Sequence, residues 1–315
     1  MAARLPTLKN VHAARRRLAN RLHQTPLHSS PSLSQRAGVS LLFKCENLQR
    51  SGSFKFRGAL NAILSLPPEQ RRLGVVTHSS GNHGAALAAV ARELGIPATV
   101  VVPNNASAFK RAAIRRSGAR IEGCGPTLAA REKTLAKVQS VTGANFIPPY
   151  DHPAVIAGQG SAALEILEQD PGVDEIWTPV GGGGLAAGTV LACGHAVQVV
   201  GAEPRLARDA FDSLQRGERQ PAMPPRSGTR LAALGKLALS SQPTSILLTM
   251  RSRRLLNEET PRMFSNVNVL PSTPRATSLM SKAKVAPIPS VVMPLPAAVS
   301  GAKSTIRFLP AKMGN

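Results

Sequence analysis

An α/β architecture is what residues 72–203 predict, and three features carry that expectation. Short apolar runs rich in β-branched residues alternate with alanine-rich amphipathic stretches of helical period. Glycine or proline closes the stretches, as at Gly95, Pro97 and Gly118. Two glycine-bearing turns stand where a strand runs into a helix, at 78–84 and 179–185. Strands alternating with helices of that length pair in parallel through crossovers.

In chain order, the pattern predicts a basic helix at about 8–20 and a Pro/Ser-rich connector at 28–34. A short buried strand follows at 75–78, a helix at 84–94, a strand at 98–102, a basic helix at 107–117 and a strand at 120–122. Helices at about 127–142 and 157–169, a strand at 175–180, a helix at 185–193 and a strand at 197–202 complete the rhythm. From about 221 the texture changes: Pro, Ser, Thr and Arg mix without sustained period, and acidic residues nearly vanish. Such a segment lacks a continuous apolar face, which is compatible with a disordered extension.

Length and composition set the bounds. The 315 residues suggest two domains, and 43% hydrophobic content supports a sizeable core. Cys45, Cys124 and Cys193 lie too far apart in sequence for a CxxC knuckle or a disulfide framework. The start MAARLPTLKN lacks an apolar signal region, and no apolar run approaches a membrane span, so a reducing cytoplasmic setting is expected. The formal charge is +22. Basic chains raise the question of nucleic acid, but with 8 Phe, 1 Trp and 1 Tyr there is little to stack bases on.

Three segments carry chemistry. In the first, which runs from Lys44 to Ala59, Lys55 follows an aromatic, Phe54, and a Gly-Ser turn, while Gly58 and Ala59 let a helix pack closely. A lysine held near apolar groups has a lowered pKa, which suits imine chemistry. The second is His78-Ser79-Ser80-Gly81-Asn82-His83-Gly84, whose hydroxyls, amide and free N–H groups at a helix start suit a carboxylate. Ordinary capping is the alternative there, and His83 reads as a structural histidine. The third is Gly181-Gly182-Gly183-Gly184 between strand and helix, apt for a phosphate but lacking P-loop or dinucleotide spacing.

A lysine, a carboxylate cradle and a phosphate cup are what pyridoxal phosphate chemistry requires. With SFK-x-RGA, SSGNHG and GGGG in this order, the chain resembles the fold-type II pyridoxal-phosphate enzymes, specifically the threonine/serine dehydratase and serine racemase branch, over about 5–214. That resemblance implies two open parallel-sheet domains of the tryptophan synthase β-like kind. Residues 1–73 with 152–220 would form the large domain, 74–151 the small one, and 221–315 the atypical tail.

The resemblance further implies that Lys55 is the Schiff-base lysine and base, with Phe54 flanking the cofactor ring. Asn82 would bond the pyridoxal 3-oxygen and, with Ser79, Ser80, Gly81 and His83, surround the substrate carboxylate, and Gly181 to Gly184 would take the phosphate. Ser80 matches the serine that racemases use as a second base, but dehydratases carry it too. Leu185 replaces the methionine common after the glycines. Glu203, the Ala207 carbonyl and Asp209 resemble the family's Mg or Ca site; capping or pairing of these acids is the alternative.

The implied activity is that of an ammonia-lyase acting on L-threonine or L-serine, in a homodimer. Serine racemase and hydroxyaspartate dehydratase are the rivals within the family, and Tyr150 tilts towards dehydration. An inactive pseudoenzyme or a basic nucleic-acid-binding chain is the rival of another class. The Glu-Pro-Ser-Gly-Ala-like and Ser-Gly-Gly-Asn segments of relatives are absent from the tail, where Ser300-Gly301-Ala302 matches only as a tripeptide. A change of reading frame after about Pro221 is the expected cause, with poor activity as its consequence.

Overall fold

In the computed structural model, residues 5–204, 207–221, 246–251 and 306–311 are described. The chain opens on α1 (Leu8–Leu18), where Thr7 and Asn10 form a capping box and Val11, Ala14 and Leu18 line the buried face. The expected connector at 28–34 is instead β1 (Leu27–Ser29) running into α2 (Pro31–Ala37). Pro31 at the first helical position starts that helix rather than breaking it, and Gly38, at φ 67°, closes it. Then come β2 (Ser40–Cys45), α3 (Lys55–Leu64) and α4 (Pro68–Arg72).

The strands expected at 75–78, 98–102 and 120–122 are β3 (Val75–Thr77), β4 (Ala98–Pro103) and β5 (Arg120–Cys124). With β6 (Asn145–Phe146) they form one sheet in the order β5-β4-β3-β6, parallel throughout. Its crossovers are α5 (Asn82–Glu93), α6 (Ala108–Arg116) and α7 (Leu128–Thr142). Successive residues of β3 enter different cores, which is the period-two alternation of a sheet covered on both faces. Val75 packs with Leu60, Leu87 and Val100, and Val76 with Val101 and Leu135.

The second sheet has the order β1-β2-β9-β7-β8-β10. It contains β7 (Glu175–Pro179), β8 (Gln198–Pro204), β9 (Ile246–Arg251) and β10 (Ile306–Ala311), and α8 (Pro153–Gln169), α9 (Gly184–Cys193) and α10 (Asp209–Arg216) are the remaining helices among the described residues. Pairing is parallel across β7, β8 and β10, and antiparallel from β1 through β2 and β9 to β7.

One helix boundary is corrected. The helix expected at 157–169 begins at Pro153, because proline at the first helical position loses no hydrogen bond. Within the tail, 246–251 and 306–311 pair in the large sheet, the first between β2 and β7 and the second beside β8. The rest of the tail, with the frame-change reading and Ser300-Gly301-Ala302, lies outside the described residues.

α8 is the pivot of the helical layer. Gly158 meets α3 so closely that a Cβ there would stand 2.7 Å from both the Arg57 carbonyl and the Gly58 Cα. On its other side a Cβ on Gly160 would stand 2.6 Å from the Gly188 carbonyl of α9. Backbone-to-backbone contacts of this kind leave no room for a side chain. No helix among the described residues is long and apolar enough to cross a membrane. The three cysteines are free and buried, and burial pushes the Cys193 thiol up to about 12.

Candidate active site

α3 begins at Lys55 itself, after a turn in which Gly52 has φ +74°. The Lys55 amine donates to the Pro149 carbonyl at 2.7 Å and stands 5.0 Å from the centre of the Phe54 ring. Among the described residues no carboxylate pairs with it. Burial therefore acts unopposed and lowers its pKa to about 8.

β3 delivers the second segment to the start of α5. Gly84 belongs there because a Cβ would run into the Ser79 carbonyl. Ser79 Oγ accepts from the Gly81 amide at 3.4 Å, while the Ser80 and Asn82 side chains have no partner among the described residues. The helix start carries no acidic residue, so its positive end is left for an anion. His83 is buried behind this turn; its Nε2 is 2.9 Å from the Ile147 carbonyl, to which it donates. Burial pushes its pKa down to about 3, so it is a neutral group bonded within the fold.

The glycine turn joins β7 to α9, and Gly183, at φ 78°, caps the helix. A Cβ on Gly181 or Gly183 would meet nothing within 4 Å, so space lies open beside the turn. At Gly182 a Cβ would run into the Tyr150 ring, which lies against the loop. One strap thus touches all three segments: Ile147 takes the His83 bond, Pro149 the Lys55 bond, and Tyr150 covers Gly182. The strap thereby links the lysine, the α5 start and the glycine turn.

The residues fit pyridoxal phosphate. A desolvated lysine without an acidic partner among the described residues shares the 147–150 strap with a glycine turn that has open space beside Gly181 and Gly183. Polar atoms adjoining the three segments in sequence, Ser53 Oγ, His83 Nδ1 and Thr178 Oγ1, are buried without partners. The metal arrangement is different. Glu203 turns both oxygens onto the start of α10, accepting from the Ala210 and Phe211 amides at 3.2 and 2.9 Å. Burial raises its pKa to about 7, with Asp209 and Asp212 adding to that. Capping is thus the arrangement present; Asp209 starts α10, Ala207 bonds back to Pro204, and no group of three acidic, His or Cys residues among those described is arranged for a metal.

A further cluster has no counterpart in the sequence reading. Arg57 is fully buried between Glu46 and Glu165, and Lys44 is fully buried against Glu165 at 2.8 Å. Thr25 Oγ1 donates to Glu46 and Gln169 Oε1 accepts from Lys44. The available signal was Glu165 itself, a charge inside the apolar stretch of α8.

A family model, that of pyridoxal-phosphate dependent enzymes, matches residues 18–252, a span that runs past Leu214 and takes in β9. The chain is similar to the beta-hydroxyaspartate dehydratase of Paracoccus denitrificans, 44% identical over 216 residues, which are 68% of this chain and 69% of that one. The structure of maize serine racemase superposes with a TM-score of 0.69 at 39% identity, over 72% of this chain and 71% of that one. The processed threonine deaminase isoform 2 from Solanum lycopersicum gives 0.64 at 31% identity, over 70% and 67%.

Proposed function

The chain belongs to the pyridoxal-phosphate dependent enzymes, and on that premise we propose that it is a carbon–nitrogen lyase, converting L-threonine or L-serine to a 2-oxo acid and ammonia. The observation that carries this reading is a desolvated, unpaired Lys55 held by the same strap that covers the glycine turn and anchors the α5 start. Gly181 to Gly184 would hold the phosphate, Phe54 and Asn82 the pyridine ring, and Lys55 the carbonyl carbon. When bound, pyridoxal phosphate supplies an electron sink for the charge left at the substrate α-carbon.

The chain's own groups do the rest. Ser79, Ser80 and the Gly81 amide receive the substrate carboxylate at the positive end of α5. That fixes the α-C–H bond relative to Lys55, whose amine takes the α-proton. A pKa of about 8 makes the amine a competent base near neutrality. The β-hydroxyl leaves as water, the proton that Lys55 took from the α-carbon balancing the one it gains, and water taken up later releases the ammonia.

Similarity to serine racemase and to a hydroxyaspartate dehydratase supports a second reading within the same site, with Ser80 as a second proton carrier. One experiment addresses both. The chain is loaded with pyridoxal phosphate, reduced with borohydride and digested, and the modified peptide is mapped. Parallel assays measure 2-oxo acid and ammonia from L-threonine, L-serine and 3-hydroxyaspartate, and D-serine from L-serine. The expected result is modification at Lys55 and 2-oxo acid release, both lost in Lys55→Ala. Modification of another lysine, with activity surviving in Lys55→Ala, overturns the reading. D-serine without 2-oxo acid assigns the chain to racemization.

A further inference from the structure

Lys55 and the glycine turn sit on different helices, α3 and α9, yet one ligand must reach both. Their spacing is set by α8, through backbone contacts at Gly58 with Gly158 and at Gly160 with Gly188. Glycine contacts fix how close two helices lie, but they do not stop one from rotating or sliding along the other. The first turn of α3 has no side-chain cap and no acidic residue to hold it. Phe56 buries in the core there, and the charged tie is Arg57, two residues beyond Lys55.

Arg57 Nε and Nη2 donate to Glu46 at 2.7 and 2.8 Å, and Nη1 and Nη2 donate to Glu165, both at 2.8 Å. The guanidinium is thus bidentate to a carboxylate before α3 and to another on α8. Burial disfavours its charge, but Glu46 and Glu165 more than offset that. Lys44 backs the far side, bonding Glu165 at 2.8 Å and the Thr25 carbonyl at 2.7 Å.

We propose that Arg57, clamped between Glu46 and Glu165, is a positioning residue that fixes the rotation of α3 and so holds the Lys55 amine dry and directed at the Ile147–Tyr150 strap. A planar fork with both carboxylates fixed has one orientation, whereas a lysine in its place would make a single-point contact and leave α3 free to turn. The consequence for catalysis rests on the reading of Lys55 given above, whose own test is the borohydride map of the unaltered chain.

The experiment reads Lys55 without cofactor. Competitive acetylation of the full chain across pH, followed peptide by peptide by mass spectrometry, gives the half-labelling pH of Lys55. It is measured in the unaltered chain and in Arg57→Lys, Glu165→Gln and Glu46→Gln, each checked for fold by circular dichroism. Three variants are used so that loss of fold in one leaves the others to decide. Ile166→Val, in the α8 core next to Glu165, is the control for a purely structural lesion.

In the clamp variants the midpoint should rise from near 8 towards the ordinary 10.5. A rise of about one unit means roughly tenfold less reactive amine at fixed pH. The control should lose stability with no such rise. An unchanged Lys55 midpoint in the folded clamp variants, or an equal rise in Ile166→Val, overturns the proposal.

Discussion

His83 shows how one buried side chain ties the site to the stability of the fold. Its Nε2 is committed to the Ile147 carbonyl and its pKa is held near 3, chiefly by burial, with the Lys55 amine pushing the same way. Its ordinary value is 6.5, so between about 6.5 and 3 the unfolded chain binds the proton that the folded chain refuses. Stability contributed by the neutral imidazole is complete above that window and is lost as pH falls through it. At about 1.4 kcal/mol per unit the loss is on the order of 3–5 kcal/mol. Glu203 runs the other way, since its raised pKa gives stability that is complete below about 4.5 and lost as pH rises to about 7. His83→Gln should therefore be weaker at neutral pH but show a flatter fall in urea midpoint between pH 6.5 and 3. An acid limb as steep as in the unaltered chain would remove His83 as its source. The position of His83 was legible in the sequence as a residue at a helix start; its neutrality was not, because it depends on how much of the fold closes over it.

For the helices, the decisive feature is how glycine is used. Gly158 and Gly181 are both glycines of the α8–α9 region, yet a Cβ has opposite surroundings at the two. At Gly158 it would press on the Arg57 carbonyl, the Gly58 Cα and the Asn61 Cβ at 2.7 to 2.9 Å. Gly158→Ala should therefore push α3 and α8 apart and cost about 1–3 kcal/mol. At Gly181 nothing lies within 4 Å, so Gly181→Ala should leave the melting temperature nearly unchanged while weakening pyridoxal phosphate binding. Thermal melts with and without cofactor separate the two effects, and a Gly181→Ala chain that binds as tightly as the parent would take that residue out of the phosphate cup. The sequence marked Gly181 through its run of four. It did not mark Gly158, because a glycine within a helical pattern shows its reason only when the crossing helix is in place.

Across the whole molecule, β9 joins what would otherwise be two pieces of sheet. It pairs with β2 from Ser40↔Arg251 to Cys45↔Ile246, and with β7 from Glu175↔Met250 to Trp177↔Leu248. A chain ending at Pro221 would leave both neighbours with unpaired edges, a surface prone to aggregation. It should elute as aggregate on size exclusion, and the emission of Trp177, the single tryptophan, should shift to the red. A monodisperse truncated chain with unshifted emission would show that the first 221 residues close their own sheet. The sequence by itself determined the βα rhythm of 72–203, the three motifs and their order, because strand, helix and cap patterns depend on neighbours within one turn or pleat. Only the tertiary structure decided the place of β9 between β2 and β7, the strap at 147–150 that gathers the motifs, and the clamp around Arg57. Each of these depends on groups far apart along the chain, as with Lys44 and Glu165 at a separation of 121 residues. A buried charge is compensated by whatever the fold brings within about 3 Å, and no local pattern encodes that partner.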